Sequence, residues 1–138
     1  MNTYYTVNRK IRFGDCDPMG VLYTPRIGYF IVEAILDCIS TCLGSPAEKG
    51  ILDLGVLPPA RALKVDFLAP MAWDDALEMR VFLKEMRTSA LVFSVDGFVV
   101  SNPVFKAELT QVCIHPETKR PVKIPTVLRK ALSNYSCA

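Results

Sequence analysis

A chain of 138 residues, 51% hydrophobic and 22% charged, has the size of a single domain (1–138) and can bury about two thirds of its unfolded surface, enough for a core without disulfides or a structural metal. Its formal net charge of +2, with basic residues scattered along the chain, excludes the basic stripe of a nucleic-acid-binding protein. The longest apolar-rich segment, 27–43, contains Glu33 and Asp37, which argues against a membrane span.

Residues 4–13, rich in Tyr, Thr, Val, Ile and Phe, predict a first strand. Phe13-Gly14-Asp15-Cys16-Asp17-Pro18-Met19-Gly20 then breaks regularity. Thr24-Pro25 has the form of a helix start, with a hydroxyl at the N-cap and Pro at the first helical position. Ile27, Phe30, Ile31, Ala34, Ile35, Cys38, Ile39 and Cys42 recur at the spacing of one buried helical stripe. The predicted helix, 25–43, is about 28 Å long and stops at Gly44. Ser45-Pro46 opens a short second helix reaching about Leu52, and Pro58-Pro59 interrupts regular structure.

From there the period becomes two. Leu63, Val65 and Phe67 alternate with polar residues; so do Leu77, Met79, Val81 and Leu83, then Leu91, Phe93 and Val95, then Phe105, Ala107 and Leu109. Each run predicts a strand with one buried face. Turn signals divide them at Ala69-Pro70, Trp73-Asp74-Asp75, Thr88-Ser89 and Ser101-Asn102-Pro103. The tail after Pro125 predicts a helical turn or two. Short connections favour antiparallel neighbours. The expected fold is α+β, a five-stranded antiparallel sheet wrapped around one long central helix. One helix cannot cover both faces of the sheet, so Phe82, Val92, Val99 and Val100 are expected to meet a partner, predicting a homodimer or larger.

The loop before the long helix is the strongest functional candidate. A carboxylate on a sharp turn beside a helix start has free N–H donors and a positive dipole end close by. A lone Asp-Pro is ordinarily a turn former, and that role is assigned to Asp15. The cysteines Cys16, Cys38, Cys42, Cys113 and Cys137 are odd in number, irregularly spaced and without a CxxC pair. This pattern fits neither a zinc site nor a disulfide framework. With no basic segment ahead of an apolar run at Met1-Asn2-Thr3-Tyr4-Tyr5, it predicts a cytoplasmic protein. His115 is the only histidine and is read as structural.

The loop, followed by Val21-Leu22-Tyr23-Thr24-Pro25, resembles that of the hotdog-fold thioesterases, most closely the 4-hydroxybenzoyl-CoA thioesterase family. The resemblance runs from about Val7 to Leu132 and implies hydrolysis of an acyl-CoA without a separate cofactor, coenzyme A being part of the substrate. It maps the catalytic carboxylate onto Asp17 and the N–H that polarises the thioester carbonyl onto Thr24. It places Tyr23 and Arg26 in the substrate-binding set and gives Lys84 and Arg87 the coenzyme A phosphates. It also implies a homodimer assembling into a homotetramer. The chain departs from the family at Thr24, where relatives often have His, and at Arg26 and Ile27, where they have Asn and Tyr. Three alternatives stay open: a thioesterase acting on an acyl carrier protein, a hydroxyacyl dehydratase using His115, and a non-catalytic acyl-thioester binding protein.

Overall fold

The computed structural model describes residues 4–135. Residues 1–3, part of the segment without a leader pattern, and Cys137 lie outside the described residues. The elements in chain order are β1 (Tyr5–Lys10), α1 (Arg26–Leu43), α2 (Ala47–Asp53), β2 (Ala60–Phe67), β3 (Ala76–Met86), β4 (Ala90–Val99), β5 (Asn102–Val112) and α3 (Thr126–Leu132). The strands form one antiparallel sheet in the order β1-β3-β4-β5-β2. The expected α+β architecture is present, with α1 laid across the sheet.

The core is the predicted one on α1 as far as Ile39 and on β3, β4 and β5, whereas Cys42 of the expected stripe is only half-buried. Ile27, Phe30, Ile31, Ala34, Ile35, Cys38 and Ile39 form the buried stripe of α1. They belong to one apolar cluster with Leu77, Met79, Val81 and Leu83 of β3, Leu91, Phe93 and Val95 of β4, and Phe105, Ala107 and Leu109 of β5. Gly44 ends α1 in the left-handed conformation and donates its N–H to the Ser40 carbonyl, as a C-terminal glycine does. Gly97 faces Phe105 across the β4–β5 ladder. A Cβ there would stand 2.1 Å from the Phe105 ring, so this glycine makes room for an aromatic side chain.

Five expectations need correction. The first strand ends at Lys10 and not at residue 13, because Phe13–Asp15 is a turn of 3-10 helix whose Arg12 N–H is taken by the Asp15 carboxylate at 2.9 Å. The main helix starts at Arg26 with no side-chain cap. Arg26 and Ile27 instead donate to the Tyr23 and Thr24 carbonyls at 2.8 and 3.2 Å, so a tight turn replaces the expected Thr24 hydroxyl cap. β2 has no buried face: only Val65 is half-buried, since the strand sits at the sheet edge beyond the cover of α1. Val99 pairs with Leu77 and packs against the core on the α1 side of the sheet, not on its outer face; on the outer face Val92 is buried and Phe82 half-buried, so of the four residues expected to need a partner only Val100, 85% accessible, stands open. Val100 and Ser101 have φ of 48° and 66° and form the β4–β5 turn, one residue ahead of the predicted Ser101-Asn102-Pro103.

Candidate active site

The loop between β1 and α1 is built on Asp15. Its side chain is buried, with 5% of the residue accessible, and it accepts the Arg12 N–H. Arg9 and Arg26 flank the carboxylate at 3.9 and 3.6 Å. Arg9 lies over the Phe30 ring, 3.9 Å from its centroid, and also pairs with Glu33. The Asp15 carbonyl accepts the Tyr23 N–H at 2.9 Å. One residue thus ties β1, the loop and the approach to α1 together. The turn role expected for Asp15 is the observed one, and burial with two cations makes it a structural keystone.

Asp17 is half-buried, one turn further on. Its Oδ1 accepts the Met19 N–H at 2.8 Å, its carbonyl accepts the Gly20 N–H at 2.9 Å, and its own N–H donates to the Val21 carbonyl at 2.9 Å. Gly20 has φ +81°, a conformation that suits glycine in this tight turn. The turn-former reading of an Asp-Pro therefore holds for Asp17, and the same hydrogen bonds fix the carboxylate on the wall of a cleft. The cleft measures about 530 Å³ and is lined by Phe13, Cys16, Asp17, Pro18, Gly20, Ala72 and Trp73.

Thr24 lies beside a neighbouring cleft lined by Val21, Leu22, Thr24 and 67–71. Among the described residues its N–H has no intramolecular acceptor, and Pro25 after it has no N–H to offer. Tyr23 is exposed. Arg26 is committed to the loop: besides Asp15 it reaches the Gly14 carbonyl at 3.4 Å and lies 5.8 Å from the centre of the Tyr29 ring.

Lys84 and Arg87 are not brought to Asp17 within one chain. They lie at the far end of β3, where Lys84 pairs with Glu108 and Arg87 holds Glu85 through two hydrogen bonds of 3.0 Å. The start of β3 joins the Trp73 turn, and eight residues of strand from Ala76 to Lys84 span about 26 Å. These pairings raise the pKa of both cations and lower that of Glu85.

Burial, together with Asp15, Asp17 and Asp75, pushes the Cys16 thiol up, so it stays protonated beside Asp17 and is a poor nucleophile. His115 sits in an exposed turn, its Nδ1 accepting the Glu117 and Thr118 N–H groups, and does not line the Asp17 cleft. Among the described residues there is no cluster of His, Cys, Asp or Glu that could hold a metal, and no single helix is long and apolar enough to cross a membrane. Trp73 is the residue that the sequence pattern did not single out. Read as part of a turn, it stands 58% accessible against Phe13 at the cleft; its being the sole tryptophan, at a turn, was the available signal.

Residues 11–132 match the family described as the thioesterase-like superfamily. The chain belongs to the thioesterase-like superfamily. Membership places it among the thioester hydrolases. A 4-hydroxybenzoyl-CoA thioesterase of Pseudomonas sp. (strain CBS-3) is 26% identical over 88 residues, covering 63% of this chain and 62% of that one, slightly under two thirds of its length. A 1,4-dihydroxy-2-naphthoyl-CoA hydrolase of Picosynechococcus sp. (strain ATCC 27264 / PCC 7002 / PR-6) is 25% identical, covering 94% of this chain and 92% of that one. A thioesterase superfamily structure from Jannaschia sp. CCS1 superposes with a TM-score of 0.88 at 25% identity, covering 98% of this chain and 94% of that one. The sheet around α1 is accordingly a hotdog fold, as the loop resemblance implied.

Proposed function

We propose that this thioesterase-like protein hydrolyses an acyl-CoA to free acid and coenzyme A in the cleft beside Asp17, with an aromatic acyl group such as 4-hydroxybenzoyl preferred. The observation that carries the reading is a carboxylate held by the Met19 N–H on the wall of a largely apolar cleft, in the loop that leads into α1. Two relatives named for aromatic acyl-CoA substrates support the acyl class.

Asp17 acts by one of two routes. In the first, a carboxylate oxygen bonds to the acyl carbon and the thiolate leaves; water then opens the mixed anhydride, restoring the carboxylate and protonating the thiolate. In the second, Asp17 takes a proton from water as that water adds to the carbonyl, and the proton passes to the departing sulfur. The free N–H of Thr24, near the positive end of α1, donates to the developing oxyanion; such a donor is worth about 3 kcal/mol in other acyl-transfer sites. Tyr23 and Arg26 frame that donor. Lys84 and Arg87 lie remote from Asp17 in one chain, so in this reading they reach the coenzyme A phosphates only from another subunit of a homodimer or homotetramer.

The test is a free-thiol assay over acetyl-, hexanoyl-, palmitoyl-, benzoyl- and 4-hydroxybenzoyl-CoA and an acyl carrier protein thioester, with wild type and Asp17→Asn. Thiol release from the aromatic CoA esters, reduced about 10²–10⁴-fold in the variant, supports the proposal. Release only from the carrier-protein thioester moves the thiol carrier. Saturable binding without release makes the protein a binder.

A further inference from the structure

We infer that Phe13 and Trp73 form the acyl-selecting subsite of the Asp17 cleft, taking a flat aromatic acyl group; the inference rests on the thioesterase reading above. The two rings meet edge to face, centroids 5.7 Å apart and planes at 77°. They are 75% and 58% accessible, a large apolar exposure for side chains that line a cleft with a reactive carboxylate. An edge-to-face pair leaves an aromatic face open, and an incoming planar group stacks on it.

Both rings stand on backbone that is held in place by hydrogen bonds. Trp73 donates its backbone N–H to the Gly20 carbonyl at 3.4 Å, and Val21 bridges Ala72. The turn carrying Trp73 is closed by the Ala72 N–H donating to the Asp75 carboxylate at 2.8 Å and by the Asp75 N–H donating to the Ala72 carbonyl at 3.1 Å. It is anchored to β1 by the Asp74 N–H on the Ile11 carbonyl at 2.8 Å and by the Lys10–Asp74 ion pair at 2.7 Å. Phe13 rides on the 3-10 turn that Asp15 caps. Holding the backbone beneath the rings in advance lowers the ordering cost of binding.

The rest of the lining says which part of the substrate enters. Gly20 and Ala72 are small and leave room, and the volume of about 530 Å³ suits a small organic group. No Lys or Arg lines the cleft, so the phosphates of coenzyme A lie elsewhere and the apolar acyl end fits here, its carbonyl toward Asp17.

Trp73 is the only tryptophan in the chain, so emission excited at the red edge, where tyrosine does not absorb, reports this cleft alone. The probes are S-phenacyl-CoA and S-butyl-CoA, thioethers that cannot be hydrolysed, and coenzyme A itself. The expected result is a saturable emission change with S-phenacyl-CoA at lower concentration than with S-butyl-CoA. Phe13→Ala, which keeps the fluorophore, should weaken S-phenacyl-CoA binding about tenfold and S-butyl-CoA binding far less. In turnover, the kcat/KM ratio of benzoyl-CoA to butanoyl-CoA should fall about tenfold in Phe13→Ala and in Trp73→Leu, with melting curves confirming that both fold. An unchanged ratio in two folded variants overturns the subsite. So does an emission change that coenzyme A alone reproduces, or shielding of Trp73 from acrylamide that grows with protein concentration in the absence of ligand, which would assign the rings to a second copy. If wild type hydrolyses no thioester but S-phenacyl-CoA still binds at Trp73, the thioesterase reading fails and the subsite stands. Asp17-dependent hydrolysis with an unchanged ratio removes the subsite and leaves the thioesterase reading in place.

Discussion

Asp15 and Asp17 are two residues apart and both accept backbone N–H groups in the loop, but Asp15 is buried between two arginines whereas Asp17 lines a cleft. Asp17→Asn keeps an oxygen for the Met19 N–H, so the variant should melt within a degree or two of wild type while losing hydrolysis; calorimetry beside the thiol assay checks both. Asp15→Ala removes the cap on Arg12 and the shared partner of Arg9 and Arg26. It should cost about 2 kcal/mol, read as a lower urea midpoint at unchanged m. The carboxylate of interest was legible in the sequence because the loop pattern is local: two glycines, a proline and a helix within a dozen residues. The Asp15 network was not, since Arg9 precedes the loop and reaches it only after β1 pairs with β3. Trp73 was hidden for the same reason. Its ring matters because a turn some fifty residues away in sequence docks on Gly20 and Val21, and no periodicity encodes that contact.

At the scale of elements, strands and helices were legible wherever burial is one-sided. The alternation in β3, β4 and β5 and the stripe on α1 report α1 and the sheet facing each other, and their inward residues are the core. Sequence and structure part where backbone groups find local partners: at Arg12, whose N–H goes to Asp15, and at Arg26, whose N–H goes to Tyr23. They part also on β2, whose alternation resembles that of a half-buried strand although α1 does not reach it. Gly97 offers a direct test of the β4–β5 register. Gly97→Ala forces Phe105 aside and should cost about 2 kcal/mol, read from urea unfolding. Asp96, opposed by Arg80 on β3 and Lys106 on β5, gives a test by pH. Burial pushes its carboxyl above the ordinary value against the pull of those two cations. The folded state then binds the extra proton between the unfolded and folded pKa values, so stability falls as pH rises through that window. Asp96→Asn should therefore melt above wild type at pH 7, and the gap should close once the pH drops below the ordinary aspartate range.

For the whole molecule, the outer sheet face offers less open apolar surface than the strand alternation alone suggests. Val92 is buried and Phe82 half-buried on that face, and Val100, at the β4–β5 turn, is the strongly accessible one of the residues expected to need a partner. The sheet has two edges, β1 and β2, and on β2 Leu63 and Phe67, with Leu68 just after it, are each about half accessible. A naked edge of this kind is a template for another strand. A homodimer joined at the β2 edge predicts that Leu63→Lys sediments as a monomer with an unaltered far-ultraviolet spectrum, while wild type sediments as a dimer or larger.

The corner between β4 and β5 carries an engineering opportunity. Val100 and Ser101 occupy left-handed backbone, where a β-branched side chain is badly suited and the pair Asn-Gly is at ease. Replacing them by Asn and Gly would relax a hairpin tip that lines none of the clefts around Asp17 and Thr24. A sturdier variant made this way would tolerate the damaging substitutions needed to dissect catalysis, serving as a background in which loss of turnover and loss of folding can be told apart.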